Sequence, residues 1–174
     1  MARSIGACMV FGSDREKLNK YMAEFERESD RGCAVLVLCT LEDLLIQAIK
    51  SRLPNCSNDE FRNLAPLGRL SVTITNAFLL GVLSEKERAD FSLLVKVRNK
   101  FAHGAFLDLS FLHDDVAYLC NKLVLCDSFD EFVINNPRRR FMFSAIMIYL
   151  MLHHCSSNSN WRLEVKEESE YVIT

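Results

Sequence analysis

The stretch that decides the fold is residues 93–104, which read Leu-Leu-Val-Lys-Val-Arg-Asn-Lys-Phe-Ala-His-Gly. Its apolar spacing is typical of the end of a long amphipathic helix. Asn99 and His103, four residues apart, share a face of that helix, whereas Arg98 lies about 140° around it from His103. Gly104 suits the C′ position, which would leave His103 in the last turn, where the helix dipole favours a cation.

The polar groups of this stretch suit two roles. A guanidinium, an amide and an imidazole, flanked by Lys96 and Lys100, can handle phosphate or carboxylate. In an RNA-cleaving site, His103 would be the acid/base and Arg98 would stabilise a phosphorane without a metal. Alternatively, Asn99 and His103 tie this helix to a neighbouring helix or to a second subunit. Spacing alone favours the structural role, because one histidine and one arginine recur in most helical proteins.

Length and composition indicate one soluble domain. The 174 residues can bury a substantial core, and 49% hydrophobic with 25% charged residues is ordinary for a globular protein. A formal charge of −2 excludes a whole-chain signature of nucleic-acid binding, so any such surface would be local. We predict a single domain over residues 1–174, with an ordered core at about 13–155 and a polar linker and acidic tail at 156–174.

The seven cysteines and the apolar runs indicate the compartment. The cysteines are odd in number and include no Cys-x-x-Cys pair, so we expect free thiols in a reducing cytosol, no structural zinc and no cofactor. We expect no signal peptide, and the apolar run at 141–152 is shorter than the ~20 residues that a membrane span needs. The prediction is a cytoplasmic protein without membrane contact.

Helical periodicity and helix-capping signals predict an all-α fold, a compact bundle of about six helices. The predicted helices begin at Ser13 or Asp14, at Ser29 or Asp30, at Pro66, at the Ser84–Glu87 capping box, at Asp114 or Asp115, and at Asn136–Pro137. The second has apolar residues on several sides and should be central. The β-branched run at 71–75 leaves a strand as the alternative for the third. Loops are predicted at 54–66, with one short turn within it as the alternative, and at 105–112.

Glu42 is a second candidate interaction residue. It follows Leu38 by four positions, so its carboxylate falls on an apolar stripe and needs a partner, for which Arg98 or Arg31 is the obvious choice. The carboxylate would then either share a site with His103 or form a buried ion pair that sets the helix register.

Arg138, Arg139 and Arg140 form a third candidate group. Three cations in the first turn of a helix oppose its macrodipole, and such a cluster can bind phosphate or an acidic partner. The residues that follow, Phe-Met-Phe at 141–143, include none that reads bases. We therefore expect solvated charge or an intersubunit salt bridge rather than a DNA contact.

Five stretches carry a family resemblance. They are Glu-Ser-Asp-Arg-Gly at 28–32, Leu-Glu-Asp-Leu-Leu at 41–45, Ala-Pro-Leu-Gly at 65–68, Ala-Phe-Leu-Leu-Gly-Val-Leu-Ser at 77–84, and Val-Arg-Asn-Lys-Phe-Ala-His at 97–103. Together they resemble the MltR family, named for the mannitol operon repressor, over about residues 15–125. The resemblance implies a compact all-helical protein of transcription regulation, without a recognisable DNA-binding motif, that works through protein contacts.

The Arg98-Asn99-x-x-x-His103 element is also similar to the signature of HEPN domains. Those domains are helical dimers; many are metal-independent ribonucleases, often toxins, and others are inactive adaptors. That resemblance implies catalytic Arg98 and His103 with a positioning Asn99.

Our main hypothesis is a homodimeric MltR-like regulator or adaptor with a protein partner and no sequence-specific DNA binding of its own. The alternative is a HEPN-type endoribonuclease acting on RNA. A third hypothesis, a binding module for a small anion, would need a pocket enclosing Arg98, Asn99 and Glu42.

Overall fold

The computed structural model describes residues 12–103, 108–157 and 162–163. Within these ranges the chain forms eight helices: α1 (Gly12–Arg27), α2 (Asp30–Arg52), α3 (Asn58–Leu64), α4 (Leu70–Leu79), α5 (Glu85–His103), α6 (Asp114–Cys120), α7 (Glu131–Ile134) and α8 (Pro137–Ser157). The predicted all-α class is confirmed, and the described part contains no strand. Most of the predicted linker and acidic tail, at 158–161 and from 164, falls outside the described residues, as do residues 1–11 and Gly104.

Helix α2 is the centre of the fold, as its sequence predicts. It packs against α8, α5, α4 and α1. The Ser29 hydroxyl caps it by accepting the Gly32 N–H at 3.1 Å, and the helix ends before Pro54. Eight of its side chains are buried: Cys33, Ala34, Val37, Leu38, Leu41, Leu45, Ala48 and Ile49. Burial of each large apolar side chain contributes roughly 1.5–3 kcal/mol.

By length and composition, α2 could also cross a membrane. One 18-residue window has a mean hydropathy of 1.9, and 44% of that window is buried inside the fold. A buried core helix meets the same criteria. Glu42 and Asp43 interrupt the apolar run of this window, so it does not stand out in the sequence as one continuous apolar stretch.

Helix α4 begins four residues later than predicted. Pro66–Arg69 instead form a turn, in which the Arg69 N–H donates to the Pro66 carbonyl at 3.2 Å. Gly68 has φ +73°, a left-handed conformation that interrupts a helix. Gly81, at φ +69°, follows the end of α4 as its sequence position predicts.

Two short helices lie outside the six that were predicted: α3 falls in the predicted loop at 54–66, for which one short turn was the alternative, and α7 lies where no helix was predicted. The Ser57 hydroxyl and the Glu60 carboxylate form a capping box at the start of α3, and Asp130 caps α7. Helix α3 buries none of its side chains and α7 buries only Val133, so apolar periodicity could not reveal them. The Ser-x-x-Glu pattern at 57–60 was the available signal.

The orientation of α5 decides which of its polar groups reach solvent. The predicted capping box is confirmed, because the Glu87 carboxylate accepts the Ser84 N–H at 2.6 Å and the Ser84 hydroxyl accepts the Glu87 N–H at 3.4 Å. The helix ends at His103. Its inward face carries Asp90, Phe91, Leu94, Val95, Val97 and Phe101. The opposite face is therefore exposed along its last two turns.

Candidate functional site

Asn99 and His103 stand on the exposed face of α5. Because they are one helical turn apart, both line an open depression of about 450 Å³. Lys96 and Lys100 of the same helix and Leu119 of α6 complete its lining.

Within the described part of the chain, neither Asn99 nor His103 contributes a side-chain bond to the fold. Both side chains are exposed, and neither makes a hydrogen bond or ion pair with any residue in the described ranges. The hypothesis that they tie α5 to a neighbouring helix therefore has no support within one chain. A contact with a second subunit stays a prediction.

The structure separates Arg98 from the other two residues of the motif. Arg98 is half-buried and is not among the residues that line the depression. Its position about 140° around the helix from His103 explains the separation. Two of the three residues predicted to form one site are thus together, and the third lies on another side of α5.

An ion pair stands beside the depression. Lys100 Nζ lies 2.8 Å from Asp115 Oδ2, and the two side chains are 47% and 64% exposed. The Lys100 ammonium lowers the pKa of the Asp115 carboxyl below its ordinary value. Sequence reasoning missed Asp115 and Leu119 as site residues, because the packing of α6 on α5, rather than helical periodicity, brings them there.

Glu42 does not join this site. It is half-buried on α2, and its carboxylate makes no hydrogen bond or ion pair within the described chain. The expected pairing with Arg98 or Arg31 is therefore not formed. Because an unpaired carboxylate is costly to bury fully, Glu42 lies at the edge of the buried face and keeps contact with water.

Arg138 is an intramolecular clamp rather than solvated charge. Its Nη1 donates to Asp30 Oδ1 at 2.6 Å, and its Nη2 donates to the carbonyl oxygens of Phe25 and Glu28 at 2.8 and 2.7 Å. These carbonyls, at and just after the end of α1, have no later helical turn to bond to. The other carboxylate oxygen of Asp30 accepts the Phe111 N–H at 2.9 Å.

Arg140 has a similar role at the end of α6. It is buried, and its guanidinium donates to the carbonyls of Cys120 and Leu123 and to the carboxylate of Asp127. The expectation of solvated charge or an intersubunit salt bridge is thus wrong for Arg138 and Arg140. The sequence does not reveal these intramolecular bonds, because the partners of both arginines lie on other helices and loops.

Arg139, the middle residue of the triplet, faces outward to a different partner. Its guanidinium lies over the ring of Phe132, 3.4 Å from the ring centroid. The three adjacent arginines therefore face three different environments, and they do not present one joint cationic surface.

Asp90 is a buried carboxylate that the sequence analysis did not single out. It accepts the N–H groups of Val124 and Leu125 at 3.1 and 2.9 Å, which holds the turn after α6 against α5. Burial raises the pKa of the Asp90 carboxyl, and these two N–H groups partly oppose the rise. Its spacing of four and seven from Leu94 and Val97 was the available signal.

The cysteines of the described chain are free thiols. Burial raises the pKa of Cys33 to about 11 and that of Cys120 to about 12, so both are neutral thiols that pack as small apolar groups. Cys39 is exposed because it points away from the core face of α2. The described residues include no group of three or more potential metal ligands.

The helices and the depression together define an all-helical protein with an exposed, cationic polar site on a helix face. The chain matches no protein-family model, and no curated protein or solved structure is detectably similar to it.

Proposed function

We propose that this protein is a regulatory adaptor of the MltR type, acting through protein contacts made by the exposed face of α5. The observation that carries the proposal is the open depression in which Asn99 and His103 stand exposed, without a partner in the described chain. Polar groups that do not stabilise the fold are available for recognition. The homodimer and the cytoplasmic location are part of the same proposal.

The internal use of two arginines supports a protein partner over DNA. DNA binding needs several cations on one surface, and Arg138 and Arg140 are engaged within the chain. Phe141 and Met142, the next residues of α8, are buried and so are unavailable to a DNA groove.

Site-specific photo-crosslinking tests the proposal. Ala89 is exposed and lies seven residues before Lys96 on the same face of α5, so a benzoylphenylalanine there samples the rim and leaves the lining intact. Asn63, exposed on α3, is the matched control position. Irradiating cells that express each variant should give discrete protein adducts from position 89 only. Adducts shared by both positions, or none from position 89, would overturn the proposal.

A second candidate function is metal-independent cleavage of RNA. It is favoured by the presence of Asn99 and His103 in one depression with two lysines, because an imidazole can move the 2′-hydroxyl proton and ammonium groups can stabilise the phosphorane. The separate position of Arg98 counts against it within a single chain.

Its test is RNA cleavage in EDTA that leaves cyclic phosphate ends. Cleavage should disappear in His103→Ala and persist in His113→Ala, a matched change at another exposed histidine. Equal cleavage by both variants would point to a contaminating nuclease, and this function would be dropped.

A further inference from the structure

We propose that the partner segment which binds the α5 depression is acidic, and that one of its carboxylates displaces Asp115 from Lys100. This inference rests on the proposed adaptor function and deepens it by naming the chemistry of the partner. It follows from the charge of the lining, from the ion pair at the rim, and from the side-chain types that the lining includes.

The depression is a local positive site in an anionic chain. Residues 91–107 include Lys96, Arg98 and Lys100 but no Asp or Glu, although the net charge of the whole chain is −2. The described lining residues include two lysines and no Asp or Glu. A surface of one sign attracts a segment of the opposite sign and raises its rate of association.

The Asp115 carboxylate at the rim of the depression can be replaced by another carboxylate. Asp115 reaches Lys100 at 2.8 Å from a neighbouring helix, and both side chains remain about half exposed to solvent. Such pairs contribute little to stability, so a partner carboxylate can take the place of Asp115 at small cost. The same geometry indicates that the Lys100 ammonium group can bind a carboxylate at this rim.

The other lining groups favour a protein segment over RNA. No arginine is among the lining residues that the structure describes, so those residues lack the group best suited to bidentate phosphate binding. Among the described residues of the lining there is also no aromatic ring on which a base could stack. Leu119 offers an apolar contact, and Asn99 can both donate to and accept from a peptide backbone.

The first test measures whether Asp115 competes with the ligand. The probe is a short fluorescent poly-L-glutamate peptide, whose binding to the full chain is followed by anisotropy at low salt. Asp115→Asn should bind it about two- to fivefold more tightly, the range expected when a surface ion pair no longer competes. Asp59→Asn is the matched control, because Asp59 pairs with Arg62 at 3.2 Å on the distant surface of α3. Equal tightening in both variants, or none in Asp115→Asn, would overturn the inference.

The second test localises the binding. Lys96→Glu should weaken poly-L-glutamate binding about five- to tenfold at low salt, because the substitution reverses a charge in the lining. Lys86→Glu, on the first turn of α5, is the control and should change the binding far less. If both variants weaken binding equally, the peptide responds only to the net charge of the protein, which would overturn the inference. Tighter binding of oligouridine than of poly-L-glutamate, lost in Lys96→Glu, would identify RNA as the ligand and overturn the inference.

The two proposals can fail separately. Protein adducts from position 89 together with no response of poly-L-glutamate binding to Asp115→Asn would keep the adaptor function and reject the acidic partner. Absence of adducts from position 89 would reject the adaptor function itself.

Discussion

Replacing Arg138 by methionine should loosen α1 from the rest of the protein. The guanidinium joins Asp30, at the start of α2, to the carbonyls of Phe25 and Glu28, at the end of α1. Methionine keeps the aliphatic part of the side chain but has no group that donates a hydrogen bond. Helix α1 would then be held to α2 by the short connection at 28–29, and to α8 by apolar contacts such as that of Tyr21 with Tyr149.

The size of the loss follows from the exposure of the pair. A hydrogen bond to a charged group contributes roughly 1.5–3 kcal/mol. The substitution removes one to a carboxylate and three to carbonyls, of which the one to Glu26 is long at 3.4 Å. The side chains of Arg138 and Asp30 are 25% and 26% exposed, so water can solvate part of what is left unpaired. We expect the free energy of unfolding to fall by about 3 kcal/mol. For a chain of this length, that is a drop in Tm of about 6–12 °C.

Arg139→Met is the matched control, because it removes the same charge from the adjacent position. Its loss is limited to a cation–π contact with Phe132, about 0.5–1 kcal/mol. Calorimetry measures Tm, and amide hydrogen exchange in α1 measures local opening. If Arg138→Met and Arg139→Met have the same Tm and amide hydrogen exchange in α1 is unchanged, Arg138 does not hold α1 in place.

Two further predictions concern the depression and the buried carboxylate. Asn99→Ala and His103→Ala should each melt within about 2 °C of wild type, because neither side chain has a partner in the described chain; a drop in Tm like that of Arg138→Met would make them structural. Asp90→Asn should change how stability depends on pH. Since burial raises the pKa of Asp90 in the folded chain, the stability of wild type relative to the variant is greatest below the ordinary pKa of 3.8 and declines as pH rises through the folded value. Urea unfolding across a pH series measures this, and a difference independent of pH would contradict it.

Several local features of the fold were predictable from the sequence. Helix starts at Ser29, at the Ser84–Glu87 capping box and at Pro137 follow from side chains that bond or fit their own first turn. The central position of α2 follows from its apolar residues on several sides. The shared face of Asn99 and His103 needs only the helical repeat. Each of these features depends on residues a few positions apart.

The sequence by itself determined the all-α class, most helix boundaries, and the pairing of Asn99 with His103 on one face. Only the tertiary structure decided that Arg138 and Arg140 bond to carbonyls and carboxylates within the chain, and that Leu119 and Asp115 stand beside Lys100. The physical reason is distance along the chain: Arg138 meets Asp30 across 108 residues, and Lys100 meets Asp115 across 15. Helix packing, rather than helical periodicity, brings such groups together.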